Sequence, residues 1–260
     1  MTQVQKLWPL LTATHHYDKS ISTRGRGQGV QIEAPILAFL IETRQGRVLF
    51  DVGCDYNKLT DPALRARWYD PEAFPMGPPQ MSEEQRLQAH LAKLGLTTAD
   101  IDMVFLSHLH FDHAGGLCDV CGAEVHVHVA ELEAAREPAD DAYFADDFAG
   151  NLRWRLQQEE YDLLPGLRAI NTPGHTAGHM SLMIELPHGA PVILAGDAAD
   201  LQENLDDEIA PGTCWRDRDD MAVDSIRKLK QIAGETGADL WPNHDMAFWR
   251  TLKRFPEYHQ

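Results

Sequence analysis

The chain carries the stretch Ser107-His108-Leu109-His110-Phe111-Asp112-His113-Ala114-Gly115-Gly116, in which four candidate metal ligands fall within six residues. On an extended backbone alternate side chains project from the same side, so His108 and His110 face one way. Asp112 and His113 form a second pair, and the glycines that follow allow a tight turn beside them. One metal ion cannot easily use four groups at this spacing, whereas two adjacent ions can. The stretch therefore predicts a dinuclear metal centre.

Matching donors lie in three later segments of the chain. These segments are Thr172-Pro173-Gly174-His175-Thr176-Ala177-Gly178-His179, Leu194-Ala195-Gly196-Asp197 and Pro242-Asn243-His244-Asp245. The alternative is a polar loop in which histidines cluster by chance, and the additional donors His175, Asp197 and His244 oppose it. Imidazole and carboxylate donors suit zinc, and also iron, manganese or cobalt, so the donors alone do not choose the metal.

Length and charge limit the classes of function. A chain of 260 residues suits one large α/β domain, so we expect a single domain over residues 1–260. The net charge of −17 opposes binding to nucleic-acid phosphates, which needs clustered Lys and Arg. The longest apolar run, Ala34 to Ile41, is too short to cross a membrane. We expect a small-molecule substrate, with no nucleic acid and no membrane as partner.

The cysteines and the N-terminus predict a cytoplasmic protein. Residues 1–6 lack the basic-then-apolar pattern of a signal peptide. Cys118 and Cys121 form a CxxC pair, but a structural zinc would need two more ligands and the chain has no second such pair. We interpret all four cysteines as ordinary reduced thiols.

The order of the elements predicts an α/β fold. Strand-like runs at 36–42 and 47–52 come first, and strands alternating with helices follow. Residues 55–80 are interpreted as a long loop, and residues 131–165 as helical. His126 and His128 alternate with valines in a further strand. They could form a metal-binding pair, but we do not expect them to be ligands, because the other donors already complete the predicted centre.

The motifs HLHFDH, TPGHTAGH and AGD, together with the late His244, resemble those of the metallo-β-lactamase superfamily of dinuclear metallohydrolases. The resemblance runs from about residue 36 to about residue 250. It implies a four-layer αββα sandwich, with two sheets face to face and helices outside. In similar lactone hydrolases a helical insertion near 131–165 forms part of the substrate pocket, and the resemblance also suggests a homodimer.

The resemblance assigns the metal ligands. It implies that His108, His110 and His175 bind the first of two divalent metal ions, with zinc the favoured metal. Asp112, His113 and His244 would bind the second ion, and Asp197 would bridge the two. In similar hydrolases an aspartate at the position of Asp51 supports a metal-binding histidine.

The same resemblance implies a hydrolase that acts on a carboxylic ester bond. Two metals about 3.5–4 Å apart hold a hydroxide that attacks the carbonyl carbon, as is typical of such sites. Asp112 and Asp197 are the catalytic candidates, and Asp112 is expected to carry the proton to the leaving group. The best-known zinc β-lactamases place a cysteine at the position of Asp197, which disfavours antibiotic hydrolysis.

The branch that the chain most resembles is that of the N-acyl homoserine lactonases, the quorum-quenching enzymes. SHLHFDHAGG, TPGHTAGH, GDAAD and Asn243-His244-Asp245 support this branch. Opening of an N-acyl homoserine lactone ring is therefore the favoured activity. Hydrolysis of another lactone, ester or thioester is the alternative, and phosphodiesterase and β-lactamase activities are less favoured.

One departure concerns the substrate side of the site. Those lactonases usually carry a tyrosine three residues after the bridging aspartate, and this chain has Asp200 there. Asp200 and Tyr143 are the candidate substrate-binding residues. We expect Asp200 to point away from the reacting carbonyl while another donor, such as Tyr143 or a backbone N–H, serves the carbonyl oxygen.

Overall fold

The computed structural model describes residues 2–120, 122–136 and 141–260. The described chain forms two β-sheets. The strands are β1 (Val4–Asp18), β2 (Gln31–Thr43), β3 (Gly46–Phe50), β4 (Met103–Phe105), β5 (Glu124–His128), β6 (Arg153–Gln157), β7 (Tyr161–Leu164), β8 (Leu167–Asn171), β9 (Met180–Ile184), β10 (Val192–Leu194) and β11 (Asp239–Trp241). The α-helices are α1 (Tyr56–Thr60), α2 (Pro62–Trp68), α3 (Leu87–Lys93), α4 (Phe111–Ala114), α5 (Val129–Arg136), α6 (Gln202–Asp207), α7 (Asp219–Thr236) and α8 (Met246–Trp249).

The strand directions bring several loops to one edge of each sheet. The first sheet has the order β1-β2-β3-β4-β5-β6, and β3 to β6 are parallel. The second has the order β11-β10-β9-β8-β7. Its strand β9 is antiparallel to both neighbours and β11 is parallel to β10, so β8, β10 and β11 run the same way. Their carboxyl ends therefore meet at one edge.

The two sheets face each other across the largest fully buried side chains of the core, which are phenylalanines. Phe39, Phe50 and Phe105 of the first sheet pack with residues of the second, including Leu194 and Trp241. Burial of such side chains typically stabilises a fold by about 1.5–3 kcal/mol each. Phe50 and Phe105 are stacked, with ring centroids 5.8 Å apart.

Helices cover the outer faces of both sheets. On the first sheet, Leu87 and Leu91 of α3 pack against its outer residues, including Leu40. On the second, Ile226 and Leu229 of α7 pack in a separate cluster with Ile193, Met183 and others. Strands β2, β3 and β4 of the first sheet are largely buried on both faces, as expected where a sheet is covered on each side. The four-layer αββα sandwich is confirmed.

Two expectations about the connecting segments are wrong. Residues 55–80 are not one loop, because α1 and α2 form within them. Asp55 and Asp61 accept hydrogen bonds from backbone N–H groups at the starts of α1 and α2, and Pro62 begins α2. An aspartate followed by proline is a typical helix start, so the sequence carried this signal.

The helical interpretation of residues 131–165 holds only for its first part. Helix α5 ends at Arg136, residues 137–140 lie outside the described residues, and β6 and β7 occupy 153–157 and 161–164. In β6, Trp154 and Leu156 alternate with arginines, which is a period of two and therefore a strand pattern. Strand β6 extends the first sheet by parallel pairing with β5, where His126 lies opposite Arg155.

Candidate metal-binding active site

Loops that follow four strands converge at one edge of the sandwich. The stretch with His108 and His110 follows β4 of the first sheet, and α4 begins directly after it. His175, Asp197 and His244 follow β8, β10 and β11 of the second sheet. Each site residue thus lies a few residues beyond the end of a strand, which limits its movement.

The structure brings all seven predicted ligands together, in two groups. His108, His110 and His175 offer nitrogen atoms within 4.8 Å of one another. Asp112, His113 and His244 form a second group at the same limit. Asp197 lies between the two groups. Its Oδ2 is 3.5 Å from Nε2 of His175, and its Oδ1 is 3.3 Å from Nε2 of both His113 and His244.

Asp51 and Ser107 determine which nitrogen of two histidines is free. Nδ1 of His113 is 2.8 Å from the Asp51 carboxylate, so this nitrogen carries the proton and donates it. The Ser107 hydroxyl donates to the same carboxylate at 2.8 Å and therefore accepts from Nδ1 of His108 at 3.0 Å. In its neutral form each of these histidines therefore carries its proton on Nδ1 and has an unprotonated Nε2, the form that binds a metal. This contact agrees with the expectation that Asp51 supports a metal-binding histidine.

Backbone carbonyls fix the proton on Nδ1 of two further histidines. Nδ1 of His175 donates to the carbonyl of Thr213 at 3.0 Å. Nδ1 of His244 donates to the carbonyl of Pro35 at 2.8 Å. Nε2 of both rings then lies toward Asp197, at 3.5 Å for His175 and 3.3 Å for His244, and in the neutral ring it is the atom free to bind a metal.

The site fits divalent metal ions. His108 is fully buried, yet its Nε2 makes no hydrogen bond to any described residue. A buried polar atom without a partner is costly, and a metal ion would satisfy it. Imidazoles and carboxylates gathered in this arrangement match the donor preferences of zinc, iron, manganese and cobalt.

The carboxylates of the site raise the pKa values of two of its histidines, so the site favours positive charge. Burial lowers the pKa of His244, but the negative charge of Asp197 outweighs it and raises the pKa to about 10. Burial likewise lowers the pKa of His113, and Asp197, Asp112 and Asp51 together raise it well above its usual value. Burial alone would raise the pKa of Asp197, yet the attraction of these histidines holds it well below its ordinary value.

His179, which sequence analysis did not single out, positions Asp197. The Ser181 hydroxyl donates to the Ala195 carbonyl at 2.7 Å, so it accepts from the Thr172 hydroxyl at 2.9 Å. Thr172 in turn accepts from Nδ1 of His179 at 2.8 Å. Nε2 of His179 is therefore an acceptor, and it receives the backbone N–H of Asp197 at 2.9 Å. His179 holds Asp197 in place, and its two ring nitrogens are already hydrogen-bonded.

Glu131 joins the two histidine-bearing loops. This carboxylate is fully buried and accepts the backbone N–H groups of Leu109 and Gly178, each at 3.0 Å. It also accepts the hydroxyl of Tyr143 at 2.9 Å. A side chain on Gly178 would collide with the backbone of Glu131 at 2.3 Å. The glycine of the TPGHTAGH motif is thus required by this close approach.

A cavity of about 140 Å³ opens over the two groups. It is lined by His15, Tyr17, Ile21, Ile36, His110, Phe111, Asp112, Ala142, His175, Asp197, Asp200, Thr213 and His244. Its walls combine apolar side chains with the site's acids and histidines, which is typical of a small-molecule site.

The two candidate substrate-binding residues differ in placement. Asp200 lines this cavity, contrary to the expectation that it points away. Burial, reinforced by the charge of Asp197, raises the pKa of Asp200 to about 8. Tyr143 instead lines a neighbouring cavity of about 970 Å³ that also includes His175. Since the Tyr143 hydroxyl donates to Glu131, it is not directed at the acids of the first cavity.

Other residues considered from the sequence lie elsewhere. Nδ1 of His126 contacts the Tyr161 hydroxyl at 3.1 Å, and His128 contacts the Gln158 carbonyl at 2.9 Å, so neither joins the described metal groups. Cys118 is a free thiol within the described chain. Cys121 lies outside it, and the interpretation of the CxxC pair stays a prediction.

Comparisons with known proteins agree with this geometry. The family model of the Metallo-beta-lactamase superfamily matches residues 33–244. An N-acyl homoserine lactonase of a Bacillus species is 32% identical over 88% of this chain and 89% of its own length. The lactonase AttM of Rhizobium johnstonii is also 32% identical, over 90% of each chain.

A solved structure supports the same relationship. It is an N-acyl homoserine lactone hydrolase with the product N-hexanoyl-L-homoserine bound at its catalytic metal centre. It matches with a TM-score of 0.88 and 29% identity, covering 99% of this chain and 100% of that chain.

Proposed function

The chain belongs to the metallo-beta-lactamase superfamily, and from that premise we propose that it is a metal-dependent hydrolase that opens the ring of N-acyl homoserine lactones. The observation that carries the proposal is the arrangement of seven donors in two groups joined by Asp197. The lactonases that match over nearly the whole chain support the substrate class.

We assign two divalent metal ions to the site, with zinc the favoured metal. His108, His110 and His175 would hold one ion, and Asp112, His113 and His244 the other, with Asp197 shared. When bound, the ions polarise the lactone carbonyl and make a water molecule nucleophilic near neutral pH. The fixed Nδ1–H bonds of the histidines keep their Nε2 atoms oriented for this role.

Asp112 is our candidate for proton transfer. Its carboxylate lies 3.8 Å from Nε2 of both His113 and His244 and lines the cavity. The oxygen of water adds to the lactone carbonyl carbon, and the ring C–O bond breaks. The proton that water loses passes through Asp112 to the departing ring oxygen, which becomes the hydroxyl of the open product.

A substrate panel tests the proposal. Metal-loaded protein is incubated with N-hexanoyl-homoserine lactone, a simple γ-lactone, an aryl ester, a thioester, a β-lactam and a phosphodiester. We expect the highest kcat/KM for the acyl homoserine lactone, and Asp112→Asn should lower kcat on it about 10²–10⁴-fold. A thioester or aryl ester turned over far better than every lactone would overturn the substrate assignment in favour of the alternative hydrolase.

The compartment and the assembly are also proposals. We favour the cytoplasm on the reduced cysteines predicted from the sequence, and a homodimer on the resemblance to the lactonases. In the part of the chain that the structure describes, no helix combines the length and the apolar character needed to cross a membrane.

A further inference from the structure

Asp200 lines the cavity over the candidate metal groups and carries a buried acceptor that has no partner. Only 4% of the residue is exposed, and its Oδ1 makes no hydrogen bond within the described chain. One of its carboxylate oxygens lies within 4.8 Å of donor atoms of Asp197 and His244. A buried acceptor without a donor costs free energy, and the residue that carries it lines the space that a substrate would enter.

A group of buried polar residues borders the same cavity as Asp200. The Tyr17 and Ser22 hydroxyls are 2.9 Å apart, and both residues are buried. The Ser22 backbone carbonyl accepts the side-chain amide of Asn204 at 2.9 Å. Tyr17 lines the cavity together with Asp200, so this wall of the cavity is polar and fixed by buried contacts.

We propose that Oδ1 of Asp200 accepts a hydrogen bond from the amide N–H of the substrate, and so selects acylated amino-lactones over lactones that lack an N–H. The inference rests on the proposed function and names the substrate group that this side of the site recognises. In an N-acyl homoserine lactone the amide nitrogen is attached to the ring carbon next to the reacting carbonyl. An N–H so close to the reacting atoms lies near the acids that surround them.

A hydrogen bond to Asp200 would affect which lactones are accepted, in addition to how tightly they bind. A site built around a buried acceptor rejects an analogue that lacks the donor, because the acceptor then stays unpaired. A hydrogen bond to a carboxylate that nearby metal ions keep ionised is typically worth about 10- to 100-fold in binding, and one to a neutral carboxyl is worth less. Asp200 would then distinguish lactones with an amide N–H from lactones without one, while the metal groups carry out the hydrolysis.

A pair of substrates isolates the N–H. N-hexanoyl-homoserine lactone is compared with 2-hexanoyloxy-γ-butyrolactone, in which an ester oxygen replaces the amide N–H. We expect metal-loaded wild type to prefer the amide by about 10- to 100-fold in kcat/KM, and Asp200→Ala to reduce that preference to a fewfold. Asp200→Asn keeps a carbonyl oxygen in the same place and should retain part of the preference. Asp206→Ala, which removes an exposed acid of α6, is the matched control and should keep the full preference.

Two further readouts separate the outcomes. Calorimetric binding of the ring-opened products of both substrates tests the N–H contact without turnover, and Asp200→Ala should weaken only the amide product. Metal content is measured for each variant. An equal preference in Asp200→Ala and wild type, or loss of metal from Asp200→Ala, would overturn the inference, the latter by making Asp200 a metal ligand. Wild type that hydrolyses neither lactone would refute the proposed function, while the binding comparison would still decide the role of Asp200.

Discussion

At the scale of single residues, the site depends on partners that hold its ligands in one protonation state and one orientation. Asp51 accepts a hydrogen bond from Nδ1 of His113, which directs Nε2 of that ring toward the site. Nε2 of His179 accepts the backbone N–H of Asp197. Asp51 adopts a φ of 54°, a left-handed conformation that costs an aspartate about 1–3 kcal/mol. The hydrogen bonds around its carboxylate offset that cost.

Asp51→Asn should impair metal binding more than folding. The asparagine amide can donate to Nδ1 of His113, which would move the ring proton to Nε2 and remove a metal ligand. Loss of such a supporting partner typically lowers metal affinity about 10–100-fold. Competition with a chromogenic chelator measures this affinity, and an unchanged value would show that Asp51 does not set the ring's proton.

Gly196→Ala should displace Asp197. A Cβ at this position would lie 2.6 Å from Nε2 of His179, and the glycine has a φ of 57°. We expect a loss of about 1–3 kcal/mol in the free energy of unfolding, together with reduced metal content. Gly234→Ala in helix α7 is the matched control, because a Cβ at that position would have no other atom within 4 Å. That control should be neutral or stabilising by up to about 1 kcal/mol in urea unfolding.

The gathering of the seven candidate donors could be predicted from the sequence because their spacing is short and their motifs are specific. The places of His179 and Tyr17 could not, since the contact of His179 with Asp197 and the position of Tyr17 in the cavity wall arise only from the fold. The motif TPGHTAGH contains two Gly-His pairs, so the sequence indicated that His179 could belong to the site. The sequence alone does not show that His179 has a different role from His175.

At the scale of elements, the loops of the site are held together by side chains of neighbouring elements. Helix α5 supplies Glu131, which accepts donors from the loop after β4 and from the loop after β8. A single buried carboxylate thus fixes the relative position of both histidine-bearing loops.

Glu131→Gln should destabilise both loops. Glutamine replaces one carboxylate oxygen by an NH₂ group, which would face an N–H or a hydroxyl donor and leave it unsatisfied. We expect a loss of about 1–3 kcal/mol in urea unfolding and a raised KM. The exposed Glu133 of the same helix provides the control, and Glu133→Gln should change the unfolding free energy by less than about 0.5 kcal/mol. Equal effects of the two substitutions would contradict the role given to Glu131.

Elements with clear periodicity were predictable, and short ones were not. Helix α7 and strands β2 and β3 follow their hydrophobic patterns. Strand β6 was mistaken for a helix because its arginine and aromatic residues suit either element on composition. Its parallel pairing with β5 fixes it as a strand, and that pairing is a tertiary contact.

At the scale of the whole molecule, the candidate site joins the two sheets. The first group combines His108 and His110 from the first sheet with His175 from the second. The second group combines Asp112 and His113 with His244 in the same way. Metal binding should therefore stabilise the packing of one sheet on the other.

Chelation should lower the stability of the entire fold. A ligand that binds only the folded state at about 100 times its Kd contributes about 2.7 kcal/mol per site. Removal of metal with EDTA should lower Tm accordingly, and restored zinc should reverse the change. His110→Ala should show a smaller shift on zinc addition, because one group has lost a donor. Identical melting with and without metal would contradict this coupling of the sheets.

A zinc titration of metal-free protein, followed by hydrolysis of N-hexanoyl-homoserine lactone at each step, tests the central claim most directly. Our account predicts that activity rises until two zinc equivalents per chain are bound and then stays constant, as two donor groups require. A plateau at one equivalent, or protein loaded with two equivalents that leaves the lactone ring closed, would contradict it.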